Sequence, residues 1–182
     1  GKNGQTFPVY NPARGDVITD VADISRTQTA EAISIAEKAQ KLWAARPAKE
    51  RSNLLRNWYN LMMENQEDLA TILTAEQGKP IEEAKGEIAY GASFIEFFAE
   101  EAKRVYGETI PGHQSDKRIT VLKQPVGVAA SITPWNFPNA MITRKAGPAL
   151  AAGCAFIARP ATETPLSALA MGILADRAGL PK

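Results

Sequence analysis

The spacing of apolar residues changes along the chain, and each change marks a different kind of element. Short apolar runs at 7–10 and 17–21 flank Asn11-Pro12-Ala13-Arg14-Gly15-Asp16, so the pattern predicts two short strands joined by a turn. The period then lengthens to three and four. Ala32, Ile33, Ala36, Ala39 and Trp43 predict a helix, with Thr27 or Thr29 as its cap. Pro47 suits the first turn of a second helix, whose apolar face is Leu54, Leu55, Trp58, Leu61 and Met62. Helical spacing continues through Leu69, Ile72 and Leu73, with a break near Asn65, until Gly78 closes it. Pro80 starts a third long helix with a stripe of Ile81, Ala84, Ile88, Ala92, Ile95, Phe98, Ala99, Ala102 and Val105, ending at Gly107.

A loop containing Pro111 and Gly112 is expected next, and then the period shortens. Residues 119–122 and 126–132 are β-branched-rich runs separated by Lys123-Gln124-Pro125 and read as strands. Helical spacing returns over 139–152 and stops at Gly153. Residues 154–158 are a short apolar run suited to a buried strand, and Thr162 or Thr164 opens a last helix that reaches Ala178 and ends at Gly179. Strand, helix, strand, helix in the carboxyl-terminal third is the alternation of a parallel sheet with covering helices. The fold class is therefore α/β, with helices of the first two-thirds packed against the sheet.

Composition narrows the function classes. The chain has 182 residues, 45% of them hydrophobic and 23% charged, which is the balance of a globular protein. Lys and Arg number 21 and Asp and Glu 20, a net charge of +1 that calls for neither nucleic acid nor an anionic membrane. No apolar run reaches the roughly 18 residues of a membrane span, and Gly1-Lys2-Asn3-Gly4 is not a signal peptide. One Cys permits no internal disulfide and suits a reducing, cytoplasmic setting. Both ends are expected to be cuts in a longer protein.

The candidate chemistry centres on Ile132-Thr133-Pro134-Trp135-Asn136-Phe137-Pro138, at the carboxyl end of a predicted strand. Ligands of open parallel sheets bind at such ends. Two prolines stiffen the segment, and Asn136 offers an amide that can donate to a developing oxyanion. Local chemistry leaves another reading open, a rigid turn whose Trp and Phe plug the core. Cys154 follows a helix-ending Gly and reads as a small core residue rather than a nucleophile. His113 has no His or Cys companion, and no metal site is expected.

Ile-Thr-Pro-Trp-Asn-Phe-Pro resembles the aldehyde dehydrogenase superfamily signature. Met141-Ile142-Thr143-Arg144-Lys145-Ala146-Gly147-Pro148-Ala149-Leu150-Ala151-Ala152-Gly153-Cys154, Glu76-Gln77-Gly78-Lys79-Pro80 and Tyr106-Gly107-Glu108-Thr109-Ile110-Pro111 resemble its succinate-semialdehyde branch. The resemblance runs from Tyr10-Asn11-Pro12 to Gly179-Leu180-Pro181. It implies a reaction in which a Cys thiolate attacks an aldehyde, hydride passes to a nicotinamide, and a Glu activates water to release the acid. It assigns Asn136 a catalytic role at the oxyanion. It assigns Ile132, Thr133, Pro134, Trp135 and Asn136 to the cofactor cleft, and Arg144 to a substrate carboxylate, a task that a guanidinium fork suits. Without the resemblance Arg144 reads as an ordinary surface Arg. Lys145 is assigned, weakly, to ordering the cofactor side.

The segment Arg159-Pro160-Ala161-Thr162 matches the cofactor-binding run at the next strand end, with two departures. Arg159 stands where the family has Lys, and Thr162 stands where a Glu favours NAD and a Ser tolerates NADP. Arg and Thr both accept a phosphate, so NADP is favoured over NAD as cofactor. The resemblance further implies an amino-terminal layer at 1–112, a β arm for oligomerisation at 113–126, and the start of a Rossmann-like dinucleotide-binding core at 127–182, truncated before the catalytic domain. An ordinary hairpin folded on its own domain is the other reading of the arm. The nucleophilic Cys, the base Glu and the glycine-containing cofactor loop are expected beyond Lys182. The expected activity of the full-length protein is oxidation of succinate semialdehyde or a similar carboxylated aldehyde by a homotetramer or homodimer. Glutarate semialdehyde, an uncharged aldehyde, or a non-catalytic scaffold are the alternatives. The chain alone is expected to be inactive and poorly stable.

Overall fold

A computed structural model describes residues 4–181, so the expectations placed on residues 1–3 and 182 fall outside it. The chain begins with an antiparallel pair, β1 (Thr6–Tyr10) and β2 (Val17–Ala22), joined through a turn in which the Asn11 side chain accepts from the amides of Ala13 and Arg14. Helix α1 (Arg26–Ala45) follows. Its cap is Ser25, not Thr27 or Thr29. Ser25 Oγ accepts from the Gln28 amide and Gln28 Oε1 accepts from the Ser25 amide, a reciprocal box that satisfies two backbone donors at once. Thr29 donates back to the Ser25 carbonyl instead. The α1 stripe is narrower than predicted: Ala32, Ala36, Ala39 and Trp43 face inward, whereas Ile33 is exposed.

Helices α2 (Ala48–Glu64) and α3 (Gln66–Gln77) break at Asn65, and Gly78 closes α3 with φ of 84°. Helix α4 (Ile81–Glu101) is shorter than its stripe suggests. It tightens into a 3₁₀ turn at Ala102–Arg104, and Val105 is exposed. Gly107 does not stop a helix. It lies against the backbone of Val121, where an added Cβ would come within 2.3 Å of the Val121 carbonyl oxygen. That close approach starts a hairpin that the pattern of residues 108–111 did not predict, made of β3 (Glu108–Pro111) and β4 (Arg118–Val121). Pro111 is tolerated because the strand is an exposed edge.

The carboxyl-terminal third matches its prediction. Strand β5 (Val128–Ile132), helix α5 (Ala140–Ala151), strand β6 (Ala155–Arg159) and helix α6 (Pro165–Arg177) follow in order. β5 and β6 are parallel, in register from Val128↔Ala155 to Ile132↔Arg159. The core lies among the helices: Leu55 and Met62 of α2, Leu73 of α3, Ile88 and Ile95 of α4, and Met171 of α6 are fully buried. Trp58 locks α2 to α6 by donating its indole N–H to the Met171 carbonyl at 3.2 Å. Among the described residues no helix is long and apolar enough to cross a membrane.

Candidate functional site

The two parallel strands end side by side, which brings the turn at 133–138 next to the segment after Arg159. The Thr133 amide donates to the Arg159 carbonyl at 3.1 Å, continuing the ladder one step beyond β5. The turn does not plug the core. Trp135 is 53% exposed and Phe137 40%, while Pro138 and Asn139 are buried beneath them. Ile132 is also exposed, and so is Asn136. The aromatics and the Asn amide therefore face outward from the carboxyl ends of the strands.

A buried carboxylate holds the turn from below. Glu87 of α4 accepts at Oε1 from the amides of Asn139 (2.9 Å) and Ala140 (3.3 Å), so it fills the amino terminus of α5. Negative charge there is favoured by the unpaired amides and by the helix dipole. Its other oxygen pairs with Lys79 Nζ at 2.6 Å. The same ammonium donates to the Asn136 carbonyl at 3.2 Å and lies 3.9 Å from the centre of the Phe137 ring. Gly91 lets α5 approach α4: a Cβ there would come within 2.3 Å of Asn139 Oδ1 and 3.3 Å of Ala140 Cα.

The far end of α5 is held by three side chains from α1 and α2. Gln40 donates to the Gly153 carbonyl (3.2 Å), Trp43 to Leu150 (2.9 Å) and Arg51 to Ala151 (3.3 Å). Helix α6 is seated in the manner of α5. Glu76 of α3 accepts from the amides of Leu166 and Ser167 at 2.7 and 2.8 Å. Burial raises the Glu76 carboxyl above its ordinary range, and the hydrogen bonds from Ser167 and Leu166 only partly offset it. Sequence reasoning missed Lys79, Glu76 and Glu87 as site residues. A signal was present for Glu87, a charged residue between Ala84 and Ile88 on the buried face of α4.

Arg144 stands on the exposed side of α5. Its guanidinium carbon lies 5.6 Å from the Phe94 ring centre and its nearest polar contact is Met141 Sδ at 3.9 Å. No acidic side chain pairs with it among the described residues, unlike Arg56, which pairs with Glu96 and Glu100. Lys145 turns back to the Met141 carbonyl at 2.9 Å. On the other strand end, Arg159 and Thr162 are exposed, Pro160 is half-buried and Ala161 is buried. Exposed Trp135, Arg159 and Thr162 offer a nucleotide a ring face, a cation and a hydroxyl. The amino termini of α5 and α6 offer no phosphate seat, because Glu87 and Glu76 already fill them. Cys154 is buried and lies just before β6, at the opposite end of the sheet from the turn. A five-residue strand spans roughly 16 Å, which takes this thiol out of reach of Asn136. His113 is exposed.

Comparison with known proteins gives this geometry a family. The model of the aldehyde dehydrogenase family matches residues 1–182. The chain belongs to the aldehyde dehydrogenase family. It is 64% identical over 180 residues to a glutarate-semialdehyde dehydrogenase of Pseudomonas aeruginosa, covering 99% of this chain and 37% of that protein. It is 62% identical to the NADP(+) succinate-semialdehyde dehydrogenase of Escherichia coli, covering 98% of this chain and 37% of that protein. The fold matches the crystal structure of an E. coli NADP-dependent enzyme with a TM-score of 0.97 at 62% identity, covering 98% of this chain and 37% of that one. The chain thus spans little more than a third of the length of these aldehyde dehydrogenases.

Proposed function

We propose that this chain forms part of an NAD(P)-dependent semialdehyde dehydrogenase that oxidises succinate semialdehyde, glutarate semialdehyde or a similar carboxylated aldehyde to the acid. The observation that carries the reading is the placing of Asn136 and Arg144 on one turn–helix unit. Asn136 is exposed at the strand end and Arg144, the fifth residue of α5, is a guanidinium without a carboxylate partner among the described residues. The Asn136 amide donates to the oxygen of the aldehyde as negative charge develops on it. Arg144 receives the substrate's terminal carboxylate through its planar fork. The nicotinamide, when bound, supplies the hydride acceptor. Trp135 walls its cleft with Ile132, Thr133 and Pro134, and Arg159, Pro160, Ala161 and Thr162 hold the adenosine end. An exposed cation beside an exposed hydroxyl favours NADP, and the E. coli relative is named for that cofactor.

In this reading the attacking thiol and the water-activating carboxylate are supplied by sequence beyond Lys182; the burial of the single Cys, at the opposite end of the sheet from Asn136, supports this for the thiol. Residues 1–182 alone are therefore expected to be inactive. The exposed β3–β4 hairpin, which overlaps the arm expected at 113–126 only as far as Val121, supports reading this region as the element that pairs subunits in a homodimer or homotetramer.

Kinetics of the full-length protein test the reading. Asn136→Ala is expected to lower kcat by roughly 100- to 1,000-fold. Arg144→Leu is expected to raise KM for succinate semialdehyde while leaving an uncharged aldehyde little affected. An unchanged KM removes the carboxylate role, and a kcat/KM at least about tenfold higher with NAD than with NADP removes the NADP preference.

A further inference from the structure

We propose that Lys79 and Glu87 are positioning residues for the candidate oxyanion donor: they fix the peptide that follows Asn136 and so set the direction in which the Asn136 amide points. The proposal rests on Asn136 being that donor. Four contacts carry it. Lys79 Nζ holds the Asn136 carbonyl at 3.2 Å and the Phe137 ring at 3.9 Å, and Glu87 holds the Asn139 amide at 2.9 Å and the Ala140 amide at 3.3 Å. The ion pair at 2.6 Å joins the two grips into one clamp.

Backbone freedom shows why a clamp matters at this place. Pro134 and Pro138 each have a locked φ, so the mobile part of the turn is 135–137. Lys79 grips the carbonyl in the middle of that part. Both clamping side chains come from one stretch of chain. Gly78, in the left-handed region at φ of 84°, throws Lys79 off the end of α3, and Glu87 lies in the first half of α4.

Simple stabilisation does not account for the pair. The side chains are 10% and 1% exposed, and a buried ion pair is on average no more stable than apolar residues of the same volume. Apolar residues, however, cannot hold a carbonyl and two amides in a set direction. An oxyanion donor that is misplaced by about 1 Å forfeits much of its effect.

The test is a mutant cycle in the full-length dehydrogenase, read by single-turnover rate, aldehyde KM, cofactor Kd and melting temperature. Lys79→Met is expected to slow the single turnover by roughly tenfold or more, with KM and Kd within about twofold. Lys79→Arg, which can still bridge Glu87 and a carbonyl, is expected to recover most of the rate. In an Asn136→Ala background Lys79→Met is expected to cost less than about twofold, because the donor it positions is gone. A fast Lys79→Met enzyme beside a slow Asn136→Ala enzyme overturns the positioning role and leaves the oxyanion role standing. Equal fold-losses for Lys79→Met with and without Asn136 also overturn it, as does a loss that merely follows the folded fraction. A fast Asn136→Ala enzyme removes the oxyanion reading itself, and the positioning role with it. If Lys79→Met does not fold, Glu87→Gln, which keeps an acceptor for the helix amides but frees Lys79, is put through the same cycle with the same outcomes.

Discussion

Helix α5 and the β3–β4 hairpin occupy opposite extremes of restraint. Helix α5 is gripped at its start by Glu87, at its preceding turn by Lys79, and at its end by Gln40, Trp43 and Arg51. Every residue of β3 and β4 is exposed, and the two strands hold each other from Glu108↔Val121 to Pro111↔Arg118. The first arrangement holds the turn and α5 by side chains from several elements, the kind of support that a preorganised site requires. The second leaves strand edges with unpaired backbone groups, which suits a surface that another chain covers. One chain thus keeps strong restraint for the candidate chemical site and little for the β3–β4 hairpin.

The contrast can be broken by substitution in the full-length protein. The largest effect is expected from Glu87→Ala, which strands the Lys79 ammonium and empties the start of α5. Losing one partner of a buried pair costs about 3–5 kcal/mol, measurable by urea unfolding. A cost no larger than that of a change in the arm would erase the difference between the regions. Gly91→Ala comes next. Its Cβ would meet Asn139 Oδ1 at 2.3 Å, and such overpacking costs roughly 1–3 kcal/mol. A melting temperature equal to that of the parent would show that α4 and α5 part without penalty.

Glu76 sharpens the comparison through pH. Its folded pKa is raised above the ordinary 4.5, so folding favours its protonated form. Its contribution to stability is fully present below that ordinary value and is lost as pH rises through the raised folded value. Glu76→Gln is expected to flatten the stability–pH curve in that window, and an unaltered curve would count against the burial argument. The smallest effect on protomer stability is expected from Ile119→Lys in the arm, within about 0.5 kcal/mol. The same substitution is expected to shift the sedimentation of the full-length protein toward smaller species. Unaltered assembly would return the arm to an ordinary hairpin.

Much of the fold was legible because it is written in short-range spacing. The α2 and α3 faces, the break at Asn65, the αL stop at Gly78 and the parallel β5–β6 pair all follow from period and turn chemistry. The errors fall where a neighbouring backbone decides. Residues 108–111 become a strand because β4 lies beside them, and Gly107 serves the hairpin's close approach rather than the end of α4. The α1 cap is the exception, since Ser25 and Gln28 form a local Ser-x-x-Gln box that the sequence did carry. At the candidate site, Asn136, Trp135 and Arg144 were named through the motif they sit in, and the structure leaves all three exposed. Lys79 and Glu87 were not found, because no local pattern links a residue to a turn more than 50 positions away.

Those long reaches also bear on the order of folding. Glu87 and Asn139 are 52 residues apart, and Gln40 and Gly153 are 113 apart. Closing such loops is slow compared with winding a helix. The turn around Asn136 therefore takes its working shape late, after α1, α2 and α4 are in place to receive it. A nascent chain halted before β6 would have α1 to α5 and the clamp on the turn, and would lack α6 and the Arg159 segment that lies beside the turn.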